Sequence, residues 1–134
     1  MPPASRTPGG RVLVIDDEPM MGTTLRMALA EDHEVVIVES GEAARDLLKQ
    51  DGGFDAILCD LMMPDLSGME LHAWLVQNAP QLARRVIFMT GGAYTESARR
   101  FLAAVGNPNI QKPFDVDDLL ALVEQIRADD PKSG

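Results

Sequence analysis

The sequence predicts an α/β domain: a doubly wound, five-stranded parallel sheet with five helices. Three observations predict it. Short apolar runs alternate with segments of helical period along nearly the whole chain. The runs are continuous, as expected for strands covered on both faces. Four of the five end on polar residues, at Asp16 and Asp17, at Asp60, at Thr90 and at Lys112. In doubly wound sheets ligands bind outside the carboxyl ends of the strands.

The first strand, 12–16, runs Val12-Leu13-Val14-Ile15 into Asp16 and Asp17. Pro19 suits the first turn of the helix that follows, where its missing N–H costs nothing. Met21, Leu25, Ala28 and Leu29 share one face of that helix. The second strand spans 34–38. Ser40 is the expected cap of the second helix, whose apolar face is Ala44, Leu47 and Leu48. The third strand, 54–60, closes on Asp60. Met69, Trp74 and Leu75 are the expected inner face of the third helix. The fourth strand, 85–90, closes on Thr90, and Ala98, Phe101, Leu102 and Val105 carry the fourth helix. The fifth strand, 109–112, rests on its position more than on its strength, and ends on Lys112. Val116, Leu119, Leu120, Val123 and Ile126 then follow helical spacing, with Asp115 as the expected cap. Residues 1–10 read as a disordered leader, 11–128 as the folded domain and 129–134 as a flexible tail.

The bulk numbers fit this assignment. A chain of 134 residues, 46% hydrophobic and 25% charged, is one ordinary domain. Its net charge of −9 opposes autonomous binding to nucleic acid or anionic lipid. No apolar stretch approaches the ~20 residues of a membrane span. The lone cysteine, Cys59, and an N-terminus without an apolar signal core predict a cytoplasmic location.

If the first and third strands are neighbours, three carboxylates meet at one edge. Two unit charges ~5 Å apart at an effective dielectric of about 20 repel by roughly 3 kcal/mol. Such a cluster suits a divalent cation, a reaction, or both.

The matching pieces Val12-Leu-Val-Ile-Asp-Asp17-Glu18-Pro19, Asp60-Leu-Met-Met-Pro64-Asp-Leu-Ser-Gly68, Met89-Thr90-Gly91 and Lys112-Pro113-Phe114 resemble one family. They are similar to the receiver (phosphoacceptor) domain of two-component response regulators. The resemblance covers 11 to about 127. It implies a flavodoxin-like sheet in the order 2-1-3-4-5. It also implies a signalling module that catalyses only its own phosphorylation and dephosphorylation. Asp60 would be the phosphoacceptor. Mg²⁺ would be held by Asp17, Asp60 and the backbone carbonyl of Met62, with Asp16 holding a metal-bound water. Lys112 and Thr90 would meet the phosphoryl oxygens, and the Lys112–Pro113 bond would be cis. The implied partner is a sensor histidine kinase or a histidine phosphotransfer protein, docked through Met20, Met21 and Phe114. The 108–114 segment is also similar to receivers attached to hybrid sensor histidine kinases.

One position departs from the family pattern. Asn109 stands where many receivers carry Tyr or Phe, so the usual threonine–aromatic coupling cannot run through it.

Other readings compete. A degenerate receiver acting as a non-phosphorylated scaffold would typically lack the acids or the lysine, and both are present. A Mg²⁺-dependent aspartyl-phosphate phosphatase resembles Asp-x-Asp, but Met62 lies two beyond Asp60 and cannot move protons. A flavin-binding protein of this topology would want a Ser/Thr/Gly-rich phosphate loop where Asp16-Asp17-Glu18 stands. Among the remaining residues, Cys59 is expected as a buried thiol on the opposite face of the sheet. Most methionines, including Met69 and Met89, are expected in the core. His33 and His72 lack partners at metal spacing and are expected to be solvated. Gly91 is expected to leave the approach to Asp60 open and let its loop shift at little cost.

Overall fold

A computed structural model describes residues 10–91 and 95–129. Five parallel strands form one sheet in the order β2-β1-β3-β4-β5. They are β1 (Arg11–Ile15), β2 (Glu34–Val38), β3 (Ala56–Asp60), β4 (Val86–Thr90) and β5 (Asn109–Gln111). The helices between and after them are α1 (Pro19–Leu29), α2 (Gly41–Gln50), α3 (Gly68–Asn78), α4 (Pro80–Ala83), α5 (Glu96–Val105) and α6 (Val116–Asp129).

The continuous apolar strands are explained by two cores. Alternate residues Leu13, Ile15, Ile57, Cys59, Val86 and Phe88 face α2, α3, α4 and α5. Their neighbours Val12, Val14, Ala56, Leu58, Ile87 and Met89 face α1 and α6. Burying both faces removes every reason for polar alternation along a central strand. Cys59 accordingly sits in the first core, its thiol held in the neutral form by burial and by the nearby charges of Asp60 and Asp16.

The expected helix starts are present. Pro19 opens α1. Ser40 Oγ accepts from the Ala43 N–H at 3.0 Å, and Asp115 Oδ1 from the Asp117 N–H at 3.1 Å. Ser67 and Glu70 form a reciprocal capping box at α3, satisfying two otherwise orphaned N–H groups.

Three features differ from expectation. A sixth helix, the four-residue α4, turns the chain between α3 and β4; it is too short to show a period. The inner face of α3 is Gly68, Leu71, His72 and Leu75, while Met69 and Trp74 only flank the core. His33 and His72 are buried, at 4% and 8% exposure, rather than solvated. His72 lies one helical turn from both Gly68 and Leu75, and its ring packs on Phe88 and Phe101 with centroids 5.7 and 5.5 Å away. His33 closes the α1–β2 turn, where its Nδ1 lies 3.1 Å from the Leu29 carbonyl. That oxygen can only accept, so Nδ1 carries the proton.

The expected leader and tail lie outside the described residues except at their inner ends. The Gly10 carbonyl accepts from the Glu34 N–H, and Asp129 is the last residue of α6. Among the described residues no helix is long and apolar enough to cross a membrane.

Candidate functional site

The parallel topology brings the carboxyl ends of β1, β3, β4 and β5 to one edge of the sheet. Asp16 follows the last residue of β1, Asp60 ends β3, Thr90 ends β4 and Lys112 follows β5. β1 and β3 are hydrogen-bonded neighbours, with Ile15 opposite Cys59. Asp16 and Asp60 therefore meet although 44 residues separate them. Asp16, Asp17 and Asp60 each offer a carboxylate oxygen within 4.8 Å of the others.

Each side chain is held by local structure. Asp16 is 1% exposed. Its Oδ1 accepts from the Glu18 N–H at 2.9 Å and its Oδ2 from Lys112 Nζ at 2.8 Å. Lys112 Nζ lies 3.7 Å from Asp60 Oδ2. The Lys112 N–H donates to the Thr90 carbonyl at 2.7 Å, which ties the ends of β4 and β5 together, and the Lys112–Pro113 bond is cis as expected. Thr90 is 2% exposed. Asp17 faces solvent. Met62, 44% exposed, directs its N–H toward Asp60 Oδ1 at 3.4 Å.

The electrostatics follow from this crowding. Burial, then the charge of Asp16, pushes the Asp60 carboxyl up to about 6, against the pull of Lys112 and the Met62 N–H. Burial also opposes the charged form of Lys112. Its hydrogen bond to Asp16 and the charges of Asp60, Asp16 and Glu18 outweigh that cost, so its pKa is raised.

Can this donor set hold a divalent cation? Three carboxylates provide hard oxygen ligands, the class Mg²⁺ prefers, and the exposed side at Asp17 leaves room for the waters that Mg²⁺ keeps. Both oxygens of Asp16 are engaged by protein donors, which suits an indirect role through water. The residues fit the group.

The structure brings together the expected acids, Thr90 and Lys112. The proposed docking side chains differ among themselves. Met20 is 76% exposed, while Met21 and Phe114 are partly buried against the second core. Met27, which the sequence did not single out, is 79% exposed. Asn109 is exposed at the start of β5.

Two glycines matter in different ways. A Cβ on Gly68 would stand 2.6 Å from the Asp60 carbonyl oxygen, so the start of α3 can approach the end of β3 only without a side chain. Its place in the Asp60 motif was visible in the sequence, but nothing there gave the contact. Among the described residues, a Cβ at Gly91 would meet nothing within 4 Å, so space there does not demand glycine.

A parallel sheet in this order, with acids and a lysine at its carboxyl edge, defines a receiver-type α/β domain. The family model of the response regulator receiver domain matches residues 12–124, and the chain belongs to that family. The chain is 34% identical over 124 residues to the transcriptional regulatory protein TcrA of Mycobacterium tuberculosis, covering 90% of this chain and 47% of TcrA. It is 36% identical over 118 residues to the hydrogenase transcriptional regulatory protein HoxA of Cupriavidus necator, covering 85% of this chain and 23% of HoxA. The chain thus spans about half or less of these curated relatives. A receiver domain protein from Clostridium thermocellum superposes with a TM-score of 0.76 at 26% identity, covering 87% of this chain and 93% of that one. A CheY-like receiver domain protein from Methanospirillum hungatei gives 0.82 at 24% identity, over 93% and 98%, and supports the fold. Receiver domains are signalling modules of two-component systems, not classical enzymes.

Proposed function

We propose that this chain accepts a phosphoryl group on Asp60 from a phosphohistidine, carried by a sensor histidine kinase or a histidine phosphotransfer protein. The observation that carries this reading is the meeting of Asp16, Asp17 and Asp60 with the Lys112 ammonium.

Asp60 in its ionised form is the nucleophile. One carboxylate oxygen forms a bond to phosphorus as the phosphorus–nitrogen bond to the donor imidazole breaks, and the product is an acyl phosphate. The donor supplies the leaving group, so the protein contributes mainly position and charge. Asp17, Asp60 and the Met62 carbonyl would hold Mg²⁺, with Asp16 acting through a water. When bound, the ion supplies positive charge against the carboxylates and the phosphoryl oxygens. Lys112 sets its ammonium beside the acceptor and steadies the charge that arrives. Thr90 offers a hydroxyl at the end of the neighbouring strand to a phosphoryl oxygen. Docking falls to the exposed rim, with Met20 of α1 as the proposed contact and Met21 and Phe114 behind it. The signal or the phosphoryl group then passes on through protein–protein contacts in the cytoplasm.

The test is labelling with phosphoramidate, a small donor with a phosphorus–nitrogen bond, in the presence of Mg²⁺. A hydroxylamine-sensitive label that maps to Asp60 supports the reading. A label on any other residue sinks it.

A further inference from the structure

A second hollow lies at the amino end of the sheet, at the opposite edge from Asp60. It is a cavity of about 270 Å³ between α3, α4, the end of α5 and the turns that lead into β4 and β5. Val76, Pro80 and Val105 give it an apolar wall, and His72, Asn107 and Arg84 supply its polar groups. The Asn107 amide is fixed by its neighbours, since Nδ2 donates to the carbonyls of Ala83 and Val86, each at 2.9 Å. Both amide hydrogens are thereby spent. In its side-chain hydrogen bond with His72, Asn107 therefore accepts through its oxygen and the imidazole donates. Burial keeps that imidazole below its ordinary value, so it is neutral at pH 7. Arg84 is different. It is exposed and, among the described residues, it pairs with no carboxylate.

We propose that this cavity binds a small organic acid, with the carboxylate on Arg84 and a compact apolar body against Val76, Pro80 and Val105. The site goes beyond the reading of Asp60 and does not depend on it. The volume falls just short of pockets that take drug-sized ligands, which suits a single ring or a short branched chain. The guanidinium presents two parallel N–H donors that match a carboxylate, and a cationic ligand would meet it as a like charge. A metal ion is disfavoured, because the lining offers one imidazole and no carboxylate or thiol. The carbonyl ends of α3 and α5 lie close by and oppose an anion. Their partial charges fall off within a turn and are screened, whereas Arg84 brings a full charge to the contact.

NMR titration of the whole chain with sodium benzoate tests this. The amides of Val76, Arg84 and Val105 should shift and saturate, with a Kd on the order of 1 mM for so small a ligand. Benzamide has the same ring without the charge and should bind on the order of tenfold more weakly. This comparison uses the unsubstituted protein, so it stands even if a variant does not fold. In Arg84→Gln the preference should vanish: benzoate falls to the level of benzamide, and benzamide is unchanged. No saturable response at these amides, or equal binding of the two ligands, would overturn the proposal. So would a preference that survives in Arg84→Gln, or shifts centred instead on Thr90 and Lys112. Shifts at the cavity amides that grow with protein concentration, without benzoate, would assign the cavity to a second copy of the chain and overturn the small-acid reading.

Discussion

A Cβ on Gly68 would stand 2.6 Å from the carbonyl oxygen of Asp60 and 3.0 Å from the Leu61 Cα. The first residue of α3 is thus pressed against the backbone that carries Asp60, and the Gly68 N–H donates to the Leu61 carbonyl at 3.0 Å. Backbone cannot step aside as a flexible side chain can. Gly68→Ala should destabilise the protein by about 1–3 kcal/mol, the usual range for overpacking, measured by urea unfolding. It should also displace the Asp60 amide resonance more than that of remote Leu119.

Asp60 gives a pH dependence of unusual sign. Its folded-state carboxyl, at about 6, lies above the ordinary value of 3.8. Between those values the unfolded chain has released the proton and the native protein still holds it, so this group makes stability fall as pH rises from about 4 to about 6. Below pH 4 the contribution is absent; above pH 6 it is fully present and corresponds to roughly 3 kcal/mol at most. Asp60→Asn should therefore be more stable than the unsubstituted protein at pH 7, by about 1–3 kcal/mol, and equal to it near pH 3.5. Denaturant midpoints at the two pH values check this. A gain of the same size at both would point to packing rather than charge.

His72 contributes the opposite slope. Burial holds its imidazole below the ordinary 6.5, so stability from this residue is present above about pH 6.5 and is lost as pH falls and the unfolded chain takes up the proton. His72→Ala should cost about 2–4 kcal/mol at pH 7, through the ring contacts to Phe88 and Phe101. That cost should shrink on acidification, as read from melts between pH 5 and 8.

Mg²⁺ should raise the melting temperature, because it relieves carboxylate repulsion that exists only in the folded protein. At ten times its Kd the gain is about 1.4 kcal/mol, on the order of 5 °C for a domain of this size. Millimolar Mg²⁺ that leaves the calorimetric melt unchanged would count against cation binding at Asp16, Asp17 and Asp60.

Output should be local. Asn109 is exposed and lacks the ring that would follow Thr90 inward. With the phosphate mimic beryllofluoride, amide exchange should slow at Thr90 and Gly91 and change little along α5 and α6. Large changes along both helices would show that a relay operates without an aromatic residue at 109.

How much of this was written in the chain? The sheet was, because β1, β3 and β4 are buried on both faces and so read as unbroken apolar runs. The site was as well, since Asp16, Asp60, Thr90 and Lys112 each close a strand and a parallel sheet aligns strand ends. β5 was marked mainly by its position and by Lys112 at its end, as Asn109 and Gln111 are exposed and only Ile110 packs against the second core. α4 escaped notice because four residues carry no period, although Pro80 at its start was a signal. The burial of His72 was legible in principle, one turn from Leu75, but imidazole chemistry pointed outward. The Lys112–Asp16 pairing was not legible, because it depends on fractions of an ångström between two carboxylates that one ammonium reaches.

The most direct measurement is intact mass after incubation with Mg²⁺ and acetyl phosphate. The account predicts a gain of one phosphoryl group in the unsubstituted protein and no gain in Asp60→Asn. A protein that gains nothing, or an Asp60→Asn variant that is labelled as fully, would contradict it.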